Sequence, residues 1–255
     1  MIRVAAVGDL HVGLDSAGSI APGLAGIEER ADLLLLAGDL TTHGTPEQAR
    51  VLTREVADVP IPIVAVLGNH DHHSGQQARV SGQLEDGGVV VLESASRVLD
   101  VTGTTVAIIG SKGFGGGFVG ASLAPFGEDE IKAFARTSIE MATAFERLLS
   151  EAEADLRIGL LHYAPIRETL LGEPPEIFPF LGSYLFAEAV DRAGADLVVH
   201  GHAHRGTEWG QTPGGVPVRN VAKAVLRQAY RVYTLEPGDV SARQRAAAMG
   251  RDVAR

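Results

Sequence analysis

Short apolar runs that stop at a glycine or a polar residue recur along this chain, and they constrain its fold more than any other feature. Residues 61–67 form one such run, which stops at Gly68-Asn69-His70-Asp71. An uninterrupted apolar run of this kind is typical of a strand buried on both faces, as in a parallel sheet. Four further runs have the same form, and they stop at Gly8-Asp9, Gly38-Asp39, His162 and His200-Gly201-His202.

Helices are predicted between these strands. Thr45-Pro46-Glu47 has the pattern of a helix start, with Thr as the N-cap and Pro at the first helical position. Residues 128–152 have the clearest apolar stripe at helical spacing, and it includes Ile131 and Ile139. A β-hairpin is predicted around Thr102-Gly103. Strands that alternate with helices in this way indicate an α/β fold.

The polar residues that follow the strands indicate one shared site. In open α/β sheets, ligands bind outside the carboxyl ends of the strands. Asp9, Asp39 and Asn69 each follow an apolar run, and imidazole groups follow the others. The alternative at this point is that these residues form ordinary polar loops.

The histidines and the absence of cysteine favour a metal site. All nine histidines lie in or beside the strand-end loops: His11, His43, His70, His72, His73, His162, His200, His202 and His204. The 255-residue chain has no cysteine, which excludes disulfides, thiolate metal sites and thiol nucleophiles. The remaining imidazole, carboxylate and amide groups are suitable ligands for a two-metal site.

Charge and hydropathy narrow the class of protein further. The formal net charge of −10 disfavours non-specific nucleic-acid binding. No apolar run approaches the roughly 20 residues that a membrane-spanning helix needs. Met1-Ile2-Arg3 leads directly into the first strand and not into a secretory leader, so we expect a cytoplasmic protein.

We predict one domain over residues 1–236 and a C-terminal tail over residues 237–255.

Five motifs stand in one order along the chain: Asp9-x-His11, Gly38-Asp39, Gly68-Asn69-His70-Asp71, His162 and Gly201-His202-Ala203-His204. In this order, and at strand ends, they resemble the motifs of the calcineurin-like metallophosphoesterase superfamily. Gly38-Asp39-Leu40-Thr41 and the single-domain length are most similar to its cyclic-nucleotide phosphodiesterase-like branch. The resemblance implies a four-layer αββα sandwich, in which two mixed β-sheets have flanking helices and a dinuclear metal site lies at the carboxyl ends of the central strands.

The resemblance also implies a role for each motif residue. One metal ion would be held by Asp9, His11 and His204 and the other by Asn69, His162 and His202, with Asp39 bridging both. His70 would lie beyond the metals, where it would protonate the leaving oxygen or hold the phosphate. A metal pair polarises the phosphoryl oxygen and supplies a metal-bound hydroxide as the nucleophile. This ligand set admits Mn, Fe, Zn or Co, as divalent or trivalent ions.

One position departs from the superfamily pattern. Many relatives have a carboxylate three residues after the bridging Asp, where it supports the catalytic His, but this chain has Thr42 there. His70 then either relies on another acid, such as Asp71, or has a lower pKa and acts mainly as a hydrogen-bond donor. Asp71 is otherwise interpreted as a structural turn residue. His43 is either a phosphate contact or a plain loop residue.

The function that we predict is metal-dependent hydrolysis of a small phosphoester, with a nucleotide-type phosphodiester favoured. The alternative is a phosphomonoesterase, and a non-catalytic metal-binding scaffold is a third possibility. We expect no membrane partner and no nucleic-acid substrate, and the sequence does not indicate an oligomeric state. The glycine-rich residues 113–120 are interpreted either as a plain connector or as a mobile loop that closes over the substrate.

Overall fold

The computed structural model describes residues 1–238 and contains two mixed β-sheets packed face to face. The first sheet has the order β13-β1-β2-β3-β4, in which only β13 is antiparallel to its neighbour. Its strands are β1 (Ile2–Val7), β2 (Leu33–Ala37), β3 (Ile63–Val66), β4 (Val90–Val91) and β13 (Arg231–Leu235).

The second sheet has the order β11-β12-β10-β9-β6-β5, with parallel central strands and an antiparallel strand at each edge. Its strands are β5 (Ala95–Val101), β6 (Thr104–Ser111), β9 (Leu156–Leu161), β10 (Leu197–His200), β11 (Trp209–Gln211) and β12 (Pro217–Asn220). A separate small hairpin consists of β7 (Gly117–Phe118) and β8 (Ala121–Ser122).

Helices cover the outer faces of both sheets. The α-helices are α1 (Ala21–Leu24), α2 (Pro46–Glu55), α3 (Gln77–Asp86), α4 (Asp129–Glu151), α5 (Phe178–Leu181), α6 (Tyr184–Ala193) and α7 (Lys223–Leu226). Short 3₁₀ helices cover Ile27–Glu29, His70–His72, Glu168–Leu170 and Pro175–Ile177. As predicted, Thr45 caps α2, since its side chain accepts a hydrogen bond from the backbone N–H of Gln48.

Alternating side chains of each central strand enter different cores, which explains the apolar runs. In β2, Leu33 and Leu35 face the second sheet, whereas Leu34 and Leu36 pack under the helices of the first sheet. On the other side, Phe145 of α4 and Phe186 of α6 pack against the outer face of the second sheet. Strands buried on both faces need apolar residues at every position. The predicted four-layer αββα sandwich is confirmed.

One prediction about local structure was wrong, and a second segment differs from the impression that its composition gives. The apolar stripe of α4 is narrower than expected, because Ile131 and Ile139 are exposed while Ser138 is buried. In residues 113–120, Gly113 and residues 115–118 are buried, while the choice between a plain connector and a loop that closes over the substrate stays open. The backbone N–H of Gly116 donates to the carbonyl of Pro179 (2.7 Å), and the N–H of Gly117 donates to that of Gly182 (2.9 Å).

The division into a domain over residues 1–236 and a tail over residues 237–255 stays a prediction, because residues 239–255 lie outside the described part of the chain. Within residues 1–238, no helix combines the length and the hydropathy needed to cross a membrane.

Candidate metal centre and active site

The predicted site residues converge at the carboxyl ends of five strands from the two sheets. Asp9 and His11 follow β1, Asp39 follows β2, and Asn69 follows β3. From the second sheet, His162 follows β9, and His202 and His204 follow β10. Three groups of these side chains, together with His70, have potential ligand atoms within 4.8 Å of one another: Asp9, His11 and His204; His11, Asp39 and His70; and Asp39, His162 and His202.

The backbone at the site has an unusual conformation. Asp9, His11, Asp39 and His202 all have positive φ values, of 57°, 44°, 48° and 69°. Such a conformation costs on the order of 1–3 kcal/mol for a non-glycine residue, and it is found most often at functional sites. Two backbone hydrogen bonds between the strand ends stabilise this conformation. The N–H of Asp9 donates to the Gly38 carbonyl (2.9 Å), and the N–H of His11 donates to the Asp39 carbonyl (3.0 Å).

The glycines at the strand ends leave room for polar side chains from neighbouring loops. A Cβ atom at Gly68 would collide with the carboxylate of Asp39, and one at Gly201 would collide with the carboxylate of Asp9. A Cβ atom at Gly38 would lie 2.5 Å from Nδ1 of His162. The recurring glycine–polar pattern therefore has a steric cause, since each glycine admits a side chain that follows another strand.

The first group consists of Asp9, His11 and His204. Nε2 of His204 lies 2.9 Å from Oδ1 of Asp9 and 3.5 Å from Nε2 of His11. Burial raises the pKa of Asp9 to about 6, although the hydrogen bond with His204 acts in the opposite direction. This carboxylate lacks solvent to stabilise its charge, and a bound cation would stabilise it.

The second group consists of His162, His202 and Asn69. Nδ1 of His162 donates to the carbonyl of Ala37 (2.9 Å), so its Nε2 directs a lone pair towards Oδ1 of Asn69, 2.9 Å away. Nε2 of His202 is 3.3 Å from the carbonyl of Phe180 and donates to it, which leaves Nδ1 free as an acceptor. Burial lowers the pKa values of His162 and His202 to about 3, so both rings are neutral and keep their lone pairs for a ligand.

Asp39 lies between the two groups with one carboxylate oxygen towards each. Oδ1 is 3.3 Å from Nε2 of His162, and Oδ2 is 3.8 Å from Nε2 of His11. Its Oδ1 also accepts the backbone N–H of His70 at 2.8 Å, which fixes the carboxylate. The carboxylate is almost completely buried. It has the position that a bridging ligand requires.

His70 is oriented by a backbone group and not by an acid. Its Nδ1 donates to the carbonyl of Thr42 at 2.8 Å, and its Nε2 faces the site, 3.9 Å from Oδ2 of Asp39. Asp71 does not have the alternative supporting role, because its oxygens accept the backbone N–H groups of Leu40, Thr41 and Gly68. Asp71 is thus a buried structural residue that ties the β2 loop to the β3 loop.

The other four histidines do not belong to the three ligand groups. His200 is buried, and its Nε2 lies 2.8 Å from the hydroxyl of Thr169. His43 and His73 are exposed, with ring centroids 6.0 Å apart, and His72 is half-buried, where the charges of Lys112 and Asp39 act on it.

The donor set fits a pair of metal ions of the predicted kind. Nε2 of His162 faces oxygens of both Asn69 and Asp39, so three atoms with lone pairs converge at a place where they could ligate one cation. Since burial keeps the pKa of His162 at about 3, a proton does not fill this place near neutral pH. Nitrogen and oxygen donors without sulfur suit Mn, Fe, Zn or Co.

Two residues near the site were not identified from the sequence. Lys112 directly follows β6, and Tyr163 follows His162 after β9. The Tyr163 ring lies 4.4 Å from that of His202. Lys112 could have been identified from the sequence, because it follows a strand just as the candidate ligands do. It was missed because the motifs contain only imidazole, carboxylate and amide groups.

Comparison with protein-family models identifies the family to which the chain belongs. The model of the calcineurin-like phosphoesterases matches residues 2–206, which include all seven candidate ligands. The chain belongs to the calcineurin-like phosphoesterase family. It is a metallophosphoesterase, an enzyme that hydrolyses phosphoesters and uses two divalent metal ions. No curated protein matches this phosphoesterase at a significant level.

Solved structures share the fold of this phosphoesterase at low sequence identity. Phosphopantetheinyl hydrolase from Mycobacterium tuberculosis superposes with a TM-score of 0.67 and 16% identity, over 92% of this chain and 96% of that chain. A putative 5′-nucleotidase from Staphylococcus aureus has a TM-score of 0.59 and 14% identity, over 97% of this chain but only 58% of that chain. The protein TT1561 from Thermus thermophilus has a TM-score of 0.54 and 14% identity, over 92% of this chain and 99% of that chain.

Proposed function

We propose that this phosphoesterase acts on small phosphodiesters of nucleotide or similar type. The observation that supports this substrate class is a pair of exposed apolar residues whose backbone segments contact the loop that bears His202 and His204. Phe180 is 61% exposed, and its carbonyl accepts the hydrogen bond of His202. Leu171 is 56% exposed beside Gly172, which lies against the carbonyl of Arg205.

Two apolar contacts favour an ester that has two organic groups. A diester places an organic group on each of two oxygens around phosphorus, whereas a monoester has only one. Exposed Phe and Leu side chains gain free energy when an apolar group covers them, at roughly 25 cal/mol per Å². We therefore favour a phosphodiesterase over the alternative phosphomonoesterase.

The proposed roles of the site residues follow their geometry. Asp9, His11 and His204 would hold one metal ion, Asn69, His162 and His202 the other, and Asp39 both. The metal pair would supply Lewis-acid activation of the phosphoryl group and a nucleophile at neutral pH. Asn69 contributes an oxygen without charge, so the site keeps its attraction for an anionic ester.

His70 would act on the leaving oxygen. The Thr42 carbonyl fixes the proton of the imidazole on Nδ1, so that Nε2 faces the reaction site. Nε2 of a protonated His70 can then donate to the alcohol that departs. The side chain is 44% exposed, which gives the leaving group access to it.

The test is a comparison of esters that share one leaving group. We expect Mn²⁺-loaded protein to hydrolyse bis-p-nitrophenyl phosphate with a higher kcat/KM than p-nitrophenyl phosphate, and Asp39→Asn to abolish both activities. A higher kcat/KM for the monoester would contradict the diester proposal and favour a phosphomonoesterase. Tight metal binding without turnover of either ester would favour a binding scaffold.

A further inference from the structure

Lys112 is fixed beside the candidate metal ligands by the sheet. In the pairing of β6 with β9, Ser111 lies opposite Leu161, so Lys112 lies next to His162. The carbonyl of Lys112 accepts the backbone N–H groups of His162 (3.1 Å) and Tyr163 (3.0 Å). The position of this lysine is therefore set by the same strand ends that position the site.

The ammonium group of Lys112 lies over two aromatic rings at the edge of the site. Nζ is 5.0 Å from the ring centroid of Phe114 and 5.5 Å from that of Tyr163. The Tyr163 ring in turn packs against His202, with centroids 4.4 Å apart. A cation over aromatic rings is attracted to them, so these contacts hold the flexible side chain next to the Tyr163 ring, and the charge of Asp39 is close enough to act on the ammonium.

The charge of Lys112 has no carboxylate partner at contact distance within residues 1–238, where no ion pair includes it. The side chain is half-buried, and burial lowers its pKa, while the more distant carboxylates of Asp39 and Glu93 act in the opposite direction. An exposed lysine without a partner is common, but a half-buried one beside an anion-binding centre is not accounted for by packing alone.

We propose that Lys112 is a catalytic residue that donates a hydrogen bond from Nζ to a non-bridging oxygen of the phosphoryl group under attack, on the side of Asn69, His162 and His202. In the transition state the negative charge of the phosphoryl group is spread over these oxygens, so an ammonium positioned beside them stabilises it electrostatically. No proton is transferred. The proposal rests on phosphoester hydrolysis at this site but applies to monoesters and diesters alike, because both have non-bridging oxygens.

The test compares two variants of Lys112 with a matched lysine elsewhere. Lys112→Met keeps an apolar stem without the charge, and Lys112→Arg restores a charge. Lys132→Met is the control, because Lys132 lies on α4 and pairs there with the exposed Asp129. Removal of one oxyanion donor typically costs about 10²–10³-fold in rate. We expect Lys112→Met to lower kcat/KM by about 10²-fold on whichever ester the wild type hydrolyses, Lys112→Arg to recover part of the loss, and Lys132→Met to have no effect.

Binding of inorganic phosphate gives a readout that is independent of turnover. Calorimetry on Mn²⁺-loaded protein should show phosphate affinity reduced in Lys112→Met, with metal content and Tm close to those of the wild type. A purely structural role of the cation over Phe114 and Tyr163 would lower Tm and leave the phosphate affinity of the folded protein unchanged, and that result would overturn the proposal.

A second measurement applies even if the variants fold poorly. Mass spectrometry after acetylation of the wild type should show Lys112 protected by phosphate, with Lys132 equally labelled in its presence and absence. Equal labelling of Lys112 with and without saturating phosphate would overturn the proposal. Preference for monoesters, or lack of turnover, would contradict the diester assignment, but the phosphate experiments would still decide the role of Lys112.

Discussion

At the scale of single residues, a main-chain carbonyl orients the candidate general acid. The Thr42 carbonyl accepts from Nδ1 of His70, where the superfamily resemblance led us to look for a supporting carboxylate. A carbonyl fixes the tautomer as well as an acid does, but it brings no negative charge to stabilise the imidazolium. Because this carbonyl belongs to the backbone, the hydrogen bond cannot be predicted from the type of side chain at position 42.

His70→Ala separates catalysis from metal binding. His70 lies near His11 and Asp39, so distance alone would also admit it as a ligand. We expect His70→Ala to keep both metal ions and to lose about 10²–10⁴-fold in kcat on esters with poor leaving groups, because proton donation is lost. Esters with acidic leaving groups should lose much less. Loss of metal, measured by elemental analysis, or equal loss on both classes of ester would contradict this role.

Phe180 gives a test of the substrate class. Phe180→Ser removes the exposed ring beside His202 and leaves the backbone carbonyl that orients this imidazole. We expect KM for a bis-aryl diester to rise by about tenfold, which corresponds to about 1.4 kcal/mol of lost apolar contact. The KM for a monoester without an aryl group, such as methyl phosphate, should change little. Equal effects on both would contradict a contact with the second organic group.

At the scale of secondary-structure elements, the strand ends show how much the sequence could predict. The runs buried on both faces and the polar residues after them predicted the sheets and the position of the site. Residues 113–120 show where the sequence was ambiguous, because glycines that permit close packing have the same appearance as those of a flexible loop. In the structure, a Cβ at Gly115 would lie 2.6 Å from the Pro179 carbonyl, so this glycine permits close packing. Contacts between distant segments of this kind leave no periodic signal in the sequence.

A pair of glycine-to-alanine variants tests the steric role of the strand-end glycines. Gly68→Ala should push the Asp39 carboxylate away and reduce metal content. Gly82 lies inside α3 with nothing near an added Cβ, so Gly82→Ala should raise the free energy of unfolding by about 0.5–1 kcal/mol and keep the metals. Urea unfolding and elemental analysis measure the two effects. Full metal content in folded Gly68→Ala would contradict the steric explanation.

Glu55, the last residue of α2, holds the segment that leads into α1. Its carboxylate accepts the backbone N–H groups of Ala21 (3.0 Å), Gly18 (2.5 Å) and Ile20 (2.8 Å), and these hydrogen bonds lower its pKa. Hydrogen bonds to a charged group contribute about 1.5–3 kcal/mol each, so Glu55→Gln should lower the free energy of unfolding by about 2 kcal/mol at neutral pH.

The pH dependence of this effect has a definite sign. A carboxylate whose pKa is lower in the folded state stabilises the protein above its unfolded pKa of about 4.3, and this stabilisation disappears as the pH falls through the folded pKa. The difference between wild type and Glu55→Gln in urea unfolding should therefore shrink as the pH falls below about 4. A difference that is constant with pH would show that the charge of Glu55 is not involved.

At the scale of the whole molecule, the candidate metal centre joins the two sheets. Asp9, His11, Asp39 and Asn69 come from the first sheet, and His162, His202 and His204 come from the second. Asp39 connects the ligands of the two sheets, since one of its oxygens faces His162 of the second sheet and the other faces His11 of the first. The same apolar core that packs the sheets together therefore fixes the distances within the site.

The central claim is that two metal ions share Asp39, and anomalous diffraction from crystals of Mn²⁺-loaded protein tests it most directly. We expect two anomalous peaks about 3.5–4 Å apart on either side of the Asp39 carboxylate, one beside His11 and His204 and the other beside His162 and His202. A single peak, or a pair of peaks that does not flank Asp39, would contradict the account.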